Sequence, residues 1–329
     1  MKMSPLSSRT ETVLFVAITL VLAYCLGVAF ILTGERYPLI IHALMCVPGA
    51  VALTLMWLLR REPPRTVGFE FTAAGSWVIA ALYPLVFVTA ALMLAYGVRT
   101  ISGHHDFIVF EPNNVQYVIL GRRLQGLPNV PVGALWMLLN LFLWLLIALA
   151  YRRGAVRSLS IRALLWIPIF VVPFLPLGRL FDLPGELGEE IGWRGYLVRR
   201  YAQQPLTAAA ITMPVWALFH VPVIFFNAQR GHYLQNAMFL ASIAVQAVIV
   251  QAIYLRSSSV WPCAVFHLSW NIWNPVVLGN VYGGAPGFFS GQFWVFNGEG
   301  PFGLLLNGAV AMWLLYRWGL FAAHKSGST

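Results

Sequence analysis

Apolar runs of close to twenty residues, separated by short polar or basic connections, recur along most of this chain. They cover residues 13–33, 39–59, 77–96, 132–150 and 161–178, then 206–226, 236–255, 260–278 and 302–320. About twenty apolar residues cross a bilayer as a helix. The pattern predicts an all-α, polytopic helical membrane protein. Between the fifth and sixth runs, 184–201 is less apolar because it carries charges. Counting it as a crossing places the basic clusters Lys2/Arg9, Arg60/Arg61/Arg65, Arg152/Arg153/Arg157, Arg199/Arg200, Arg256 and Arg317/Lys325 on one side. Omitting it inverts the C-terminal half and destroys the positive-inside bias. The expectation is nine to ten embedded helices in the plasma (inner) membrane, with both termini cytoplasmic. The connection 96–131 would then be outside, although its Arg99, Arg122 and Arg123 run against that placement. Pro168, Pro173 and Pro176 predict a kink in the fifth run.

Composition agrees. The 329 residues are 59% hydrophobic and 10% charged, far from the roughly one quarter charged that soluble domains carry. The formal charge of +10 could suit nucleic acid, but the arginines sit in short loops between apolar runs. The bilayer is therefore the expected partner, with no nucleic acid. Cys25, Cys46 and Cys263 lie inside apolar runs, at spacings that match no metal or redox motif, and read as small core hydrophobes. The first run is too long for a signal-peptide core and reads as a span.

Against this background the run Pro184-Gly-Glu-Leu-Gly-Glu-Glu-Ile-Gly-Trp-Arg-Gly-Tyr-Leu197 stands out. Carboxylates are costly in or near hydrocarbon, and an acidic pair there marks a functional site by default. Pro184 is a natural helix start. Glu190 and Arg194, four apart, can pair on one face, leaving Glu189 one step round as a carboxylate available to act as a base. The rival reading is a surface helix of charges between two spans. Further on, His220 ends an apolar run ahead of Pro222. His267 and Asn271 share one face of another apolar helix, where two donors could serve a developing oxyanion or simply bond neighbouring helices.

The ordered series Glu189-Glu190-x-x-x-Arg194, Trp216-x-x-x-His220 and His267-x-x-x-Asn271 resembles the CAAX-protease and bacteriocin-processing intramembrane endopeptidases. That family includes the eukaryotic Ras-converting CAAX endopeptidase. The family pattern has Phe where this chain has Trp216. The resemblance covers roughly 180–278 and implies an intramembrane endopeptidase acting on a peptide or protein presented at the membrane. By resemblance Glu189 activates water with help from His220, Glu190 is its auxiliary, Arg194 holds the acidic pair, and His267 with Asn271 stabilises the oxyanion. No cofactor is expected. A metal-dependent variant would recruit Glu189, His220 and His267 as ligands, but no His-Glu-x-x-His motif is present.

The chain then divides into N-terminal helices over 1–178, a motif-bearing core over 179–278, and a loop with a last helix over 279–329. Charge parity would set the polar cluster in the outer half of the bilayer. Two rivals use the same residues: a proton-coupled transporter, and a non-catalytic binding or immunity protein.

Overall fold

A computed structural model describes residues 7–33, 38–111, 114, 116–119, 122–125, 183–224, 233–281 and 284–326. Helix α1 (Ser8–Leu32) starts where the Ser7 hydroxyl accepts the Thr10 amide at 3.1 Å, an N-cap. Helix α2 (Pro38–Leu55) runs on as a π-helix, Met56–Arg60, and α3 spans Ala74–Ser102. The motif helix α4 (Leu183–Glu190) also widens into a π-helix, Ile191–Val198. Then come α5 (Pro205–Val223), α6 (Tyr233–Ser257) and α7 (Val260–Trp273), the last extended by a π-helix, Asn274–Leu278. A short α8 (Phe293–Phe296) and a long α9 (Pro301–Ser326) complete the order.

The protein is mostly helical, as the apolar runs predict, but not wholly so. Strand β1 (Ile108–Phe110) pairs antiparallel with β4 (Phe289–Gly291), and β2 (Gln116–Ile119) with β3 (Arg122–Gln125). The first three strands fall in the polar connection after α3. There Ile108, Val109 and Phe110 are β-branched and aromatic, types that favour strands.

Among the described residues five helices are long and apolar enough to cross a membrane: α1, Leu39–Arg60, α3, α5 and α6. This does not reach the expected nine to ten. The motif helix is short and charged, and α7 has only 14 residues before its π-helical extension. The runs expected at 132–150 and 161–178, with their prolines, lie outside the described residues.

The motif helix is the centre of the bundle. Its residues from Gly188 to Val198 are all buried, which removes the surface-helix reading. One face is glycine. A Cβ at Gly188 would stand 2.8 Å from Cys46 Cα, and one at Gly192 2.6 Å from the Pro48 carbonyl carbon. Small residues let two backbones approach in this way, and here they seat α4 against α2. Phe15 of α1 covers the π-helical half, its ring 5.6 Å from Trp193 and 4.8 Å from Tyr196.

Ion pairs fix one end. Buried Glu11 of α1 binds Arg60 at 2.9 Å and Arg200 at 2.8 Å, while Arg199 meets Glu62 at 2.6 Å. Tyr254 near the end of α6 donates to the Val67 carbonyl at 3.3 Å. The basic clusters after α2 and after the motif helix thus gather at the end where α1 begins. Elsewhere polar side chains link helices: Tyr83 to Asn307 at 2.7 Å, and Gln251 to the Pro205 carbonyl at 2.8 Å. Of the three thiols, Cys263 is buried, Cys46 half-buried and Cys25 exposed, so Cys25 is not a core residue.

The close glycine contact makes a test. Gly192→Ala should cost about 1–3 kcal/mol, the range for overpacking a filled site, read as a lower thermal midpoint in detergent. Gly97 in α3 has open space where its Cβ would be. Gly97→Ala should leave the midpoint unchanged or raise it.

Candidate active site

Three carboxylates on α4 are buried: Glu186, Glu189 and Glu190 are 1%, 2% and 0% exposed. A buried charge must be paired or hydrogen-bonded. Each finds its partner on a different side chain. Glu189 Oε2 accepts the indole N–H of Trp216 at 2.7 Å and that of Trp193 at 3.3 Å. Glu190 Oε1 accepts from Arg194 Nη1 at 3.1 Å and faces His267 Nδ1 at 3.0 Å. Glu186 Oε1 accepts from Asn271 Nδ2 at 3.0 Å. The acidic face of α4 is thereby joined to α5 through Trp216 and to α7 through His267 and Asn271.

Arg194, also buried, makes the expected four-residue pair with Glu190 and lays its guanidinium over the Trp216 ring, 4.4 Å from the centroid. This is cation–π geometry. Its Nε and Nη2 make no hydrogen bond among the described residues.

A cavity of about 410 Å³ opens beside this cluster. Of the six residues singled out in the sequence, Glu189, His220, His267 and Asn271 line it, whereas Glu190 and Arg194 stand behind the wall. Glu186, His42, Asn274 and Glu299 add further polar groups, and Phe30, Ile41 and Met45 of α1 and α2 form an apolar side.

Geometry fixes how the imidazoles carry their protons. His220 Nδ1 lies 2.8 Å from the Trp216 carbonyl, which only accepts, so Nδ1 bears the hydrogen and Nε2 is an acceptor when the ring is neutral. His267 Nδ1 faces a carboxylate in the same way. Its Nε2 can donate only when the ring carries both protons.

Among the described residues no group of three or more His, Cys, Asp or Glu stands so as to hold a metal ion. Glu189, His220 and His267 line one cavity, each with one polar atom bound within the protein: Glu189 Oε2 to two indoles, His220 Nδ1 to the Trp216 carbonyl and His267 Nδ1 to Glu190.

Residues 160–273 match the family model of the type II CAAX prenyl endopeptidases, Rce1-like. The resemblance read from the three motifs stands over this stretch, which contains all six singled-out residues. Comparison with curated proteins and with solved structures finds no match. The match supports a protease function in general, and with the long apolar helices it marks an integral membrane protein.

Four residues of the site escaped the sequence reading as participants. His42 was legible as a lone polar residue inside an apolar run. Glu186 was visible beside the acidic pair, but nothing in spacing joined it to Asn271. Trp216 read as an aromatic stand-in, with no sign that its N–H reaches Glu189. Glu299, in the loop Asn297-Gly-Glu-Gly-Pro301, gave no signal beyond a charge between glycines. Its carboxylate accepts the Trp270 indole at 3.3 Å, and the loop is pinned by Asn274, which bonds both Asn297 and the Gly298 amide.

The pair behind the wall can be tested apart from chemistry. Removing one partner of a buried pair costs about 3–5 kcal/mol. Arg194→Ala leaves Glu190 with His267 alone and should sharply reduce folded protein in the membrane fraction, with a lower thermal midpoint. Normal accumulation at the wild-type midpoint would show that the pair is not structural.

Proposed function

We propose that this chain is an intramembrane endopeptidase in which Glu189 activates a water molecule in the cavity. The observation that carries the reading is the shared cavity: a carboxylate, two imidazoles and an amide, from three helices, line one pocket. Peptide hydrolysis needs a base for water and donors for the oxyanion, and these residue types supply both.

Glu189 takes a proton from water as its oxygen attacks the scissile carbonyl carbon. His220, with Nε2 as acceptor, helps to orient that water. The carbonyl oxygen becomes an oxyanion, held by the second N–H of Asn271 and by Nε2–H of His267 in its doubly protonated form. Glu190 stands 3.0 Å from His267 as its counter-charge. When the tetrahedral adduct collapses the C–N bond breaks, and Glu189 returns its proton to the leaving amine. Arg194 neutralises Glu190 and takes no part in bond making. In this reading the motif helix counts among ten embedded helices, and the substrate is a peptide or protein delivered through the membrane.

Reconstituted protein with membrane-delivered peptides, read by product mass, tests the scheme. Glu189→Gln keeps shape, removes the base and should abolish cleavage, as should His220→Ala. Asn271→Ala should retain a residue of activity, reduced on the order of 100- to 1000-fold for one lost oxyanion donor. Full cleavage by Glu189→Gln would overturn the scheme in favour of a proton relay or a binding protein.

The same assay separates a metal mechanism. Hydrolysis should survive exhaustive chelation. Activity lost with a stoichiometric metal and restored by it would instead make Glu189, His220 and His267 ligands.

A further inference from the structure

We infer that Trp216 is a positioning residue for Glu189, holding one carboxylate oxygen so that the other is presented to the cavity. The inference rests on the proposed role of Glu189.

A base attached through flexible torsions works only when its acting oxygen is held against the water it must deprotonate. Glu189 Oε2 is tied by two indoles, and Oε1 makes no hydrogen bond among the described residues. The two ties differ. Trp193 sits one turn along the same helix and moves with Glu189, at 3.3 Å. Trp216 comes from α5 and makes the shorter bond, 2.7 Å. It therefore fixes Glu189 relative to another helix.

That helix carries His220 one turn later, and the Trp216 carbonyl accepts from His220 Nδ1 at 2.8 Å. One residue thus sets both partners of the proposed water site, Glu189 by its side chain and His220 by its backbone. The indole has little freedom of its own. Arg194 lies over its face, and the rings of His220 and His267 meet it edge to face, each with centroids 5.6 Å away. Trp216 is buried and does not line the cavity, so it acts through Glu189 rather than on a substrate.

The property at stake is the N–H, which phenylalanine lacks. Trp216→Phe keeps a ring against Arg194 and the backbone bond to His220, and removes the donor to Glu189 along with part of the indole's volume. In reconstituted protein it should lower kcat on the order of 10- to 100-fold, the range for a slightly misplaced group. KM should stay within about twofold, since the cavity wall is intact, while the thermal midpoint should fall moderately because a buried bond and part of a buried ring are lost. Trp193→Phe should cost less. Wild-type kcat in Trp216→Phe, or a loss carried wholly by KM, would overturn the inference.

A second measurement does not depend on cleavage. With the 13 tryptophans labelled with nitrogen-15, the Trp216 indole resonance is the one absent from Trp216→Phe or Trp216→Tyr. Its N–H proton should move upfield in Glu189→Gln, because a charged acceptor has become a neutral one. A resonance indifferent to Glu189→Gln overturns the inference even if the wild type cleaves well. A wild type that cleaves nothing overturns the proposed function whatever the indole does.

Discussion

Three buried carboxylates within five residues of one helix are the constraint around which this bundle is arranged. Each would be expensive in an apolar interior unless a donor reached it. The donors come from α5 and α7: the Trp216 indole, the His267 ring and the Asn271 amide. Neither helix can shift along or rotate against α4 without taking a donor away from a buried carboxylate. Chemistry and architecture therefore share the same bonds. The residues that would act on a peptide are also those that hold the helices in register.

The opposite face of α4 works by closeness rather than charge. Gly188 and Gly192 leave no Cβ between the helix and the backbone of α2. That approach brings His42 and Met45 of α2 up to the cavity wall. At the far end of the helix Arg200 is locked to Glu11, and Glu11 to Arg60. So the motif helix is gripped along one face and at one end, while its acidic face turns to the site. The result is a rigid support for the groups proposed to act in the cavity.

Much of this was legible in the sequence, and the limits have physical causes. Length and hydropathy located α1, α2, α3, α5 and α6 because a crossing helix must be long and apolar. Four-residue spacing anticipated the Glu190–Arg194 pair even though the backbone there is π-helical, since the pair straddles the change of winding. Spacing also put His267 and Asn271 on one face. It could not say where their donors point: Asn271 turns one N–H to Glu186, and His267 turns Nδ1 to Glu190. Those partners sit some eighty residues away, and periodicity carries no information across such a gap. The indole N–H of Trp216 was hidden for the same reason. The strands were missed because each is three or four residues long, too short for alternation to register.

The way each group is tied bears on which chemistry the cluster suits. Glu189, His220, His267 and Asn271 each commit one polar end to the protein and line the cavity with the rest. Tying one end and freeing the other is preorganisation for a reaction inside the cavity. A proton relay asks for something else. A histidine passing a proton must load it at one nitrogen and release it from the other, toward a group that can carry it on. His220 Nδ1 faces the Trp216 carbonyl, which accepts a hydrogen bond but cannot forward a proton. Through His220 the path is a dead end. His267 Nδ1 leads to Glu190, whose second oxygen is buried with no hydrogen-bond partner among the described residues. Protons can shuttle between these groups and a molecule in the cavity, but neither imidazole opens a route through the helices, and that favours local hydrolysis over conduction.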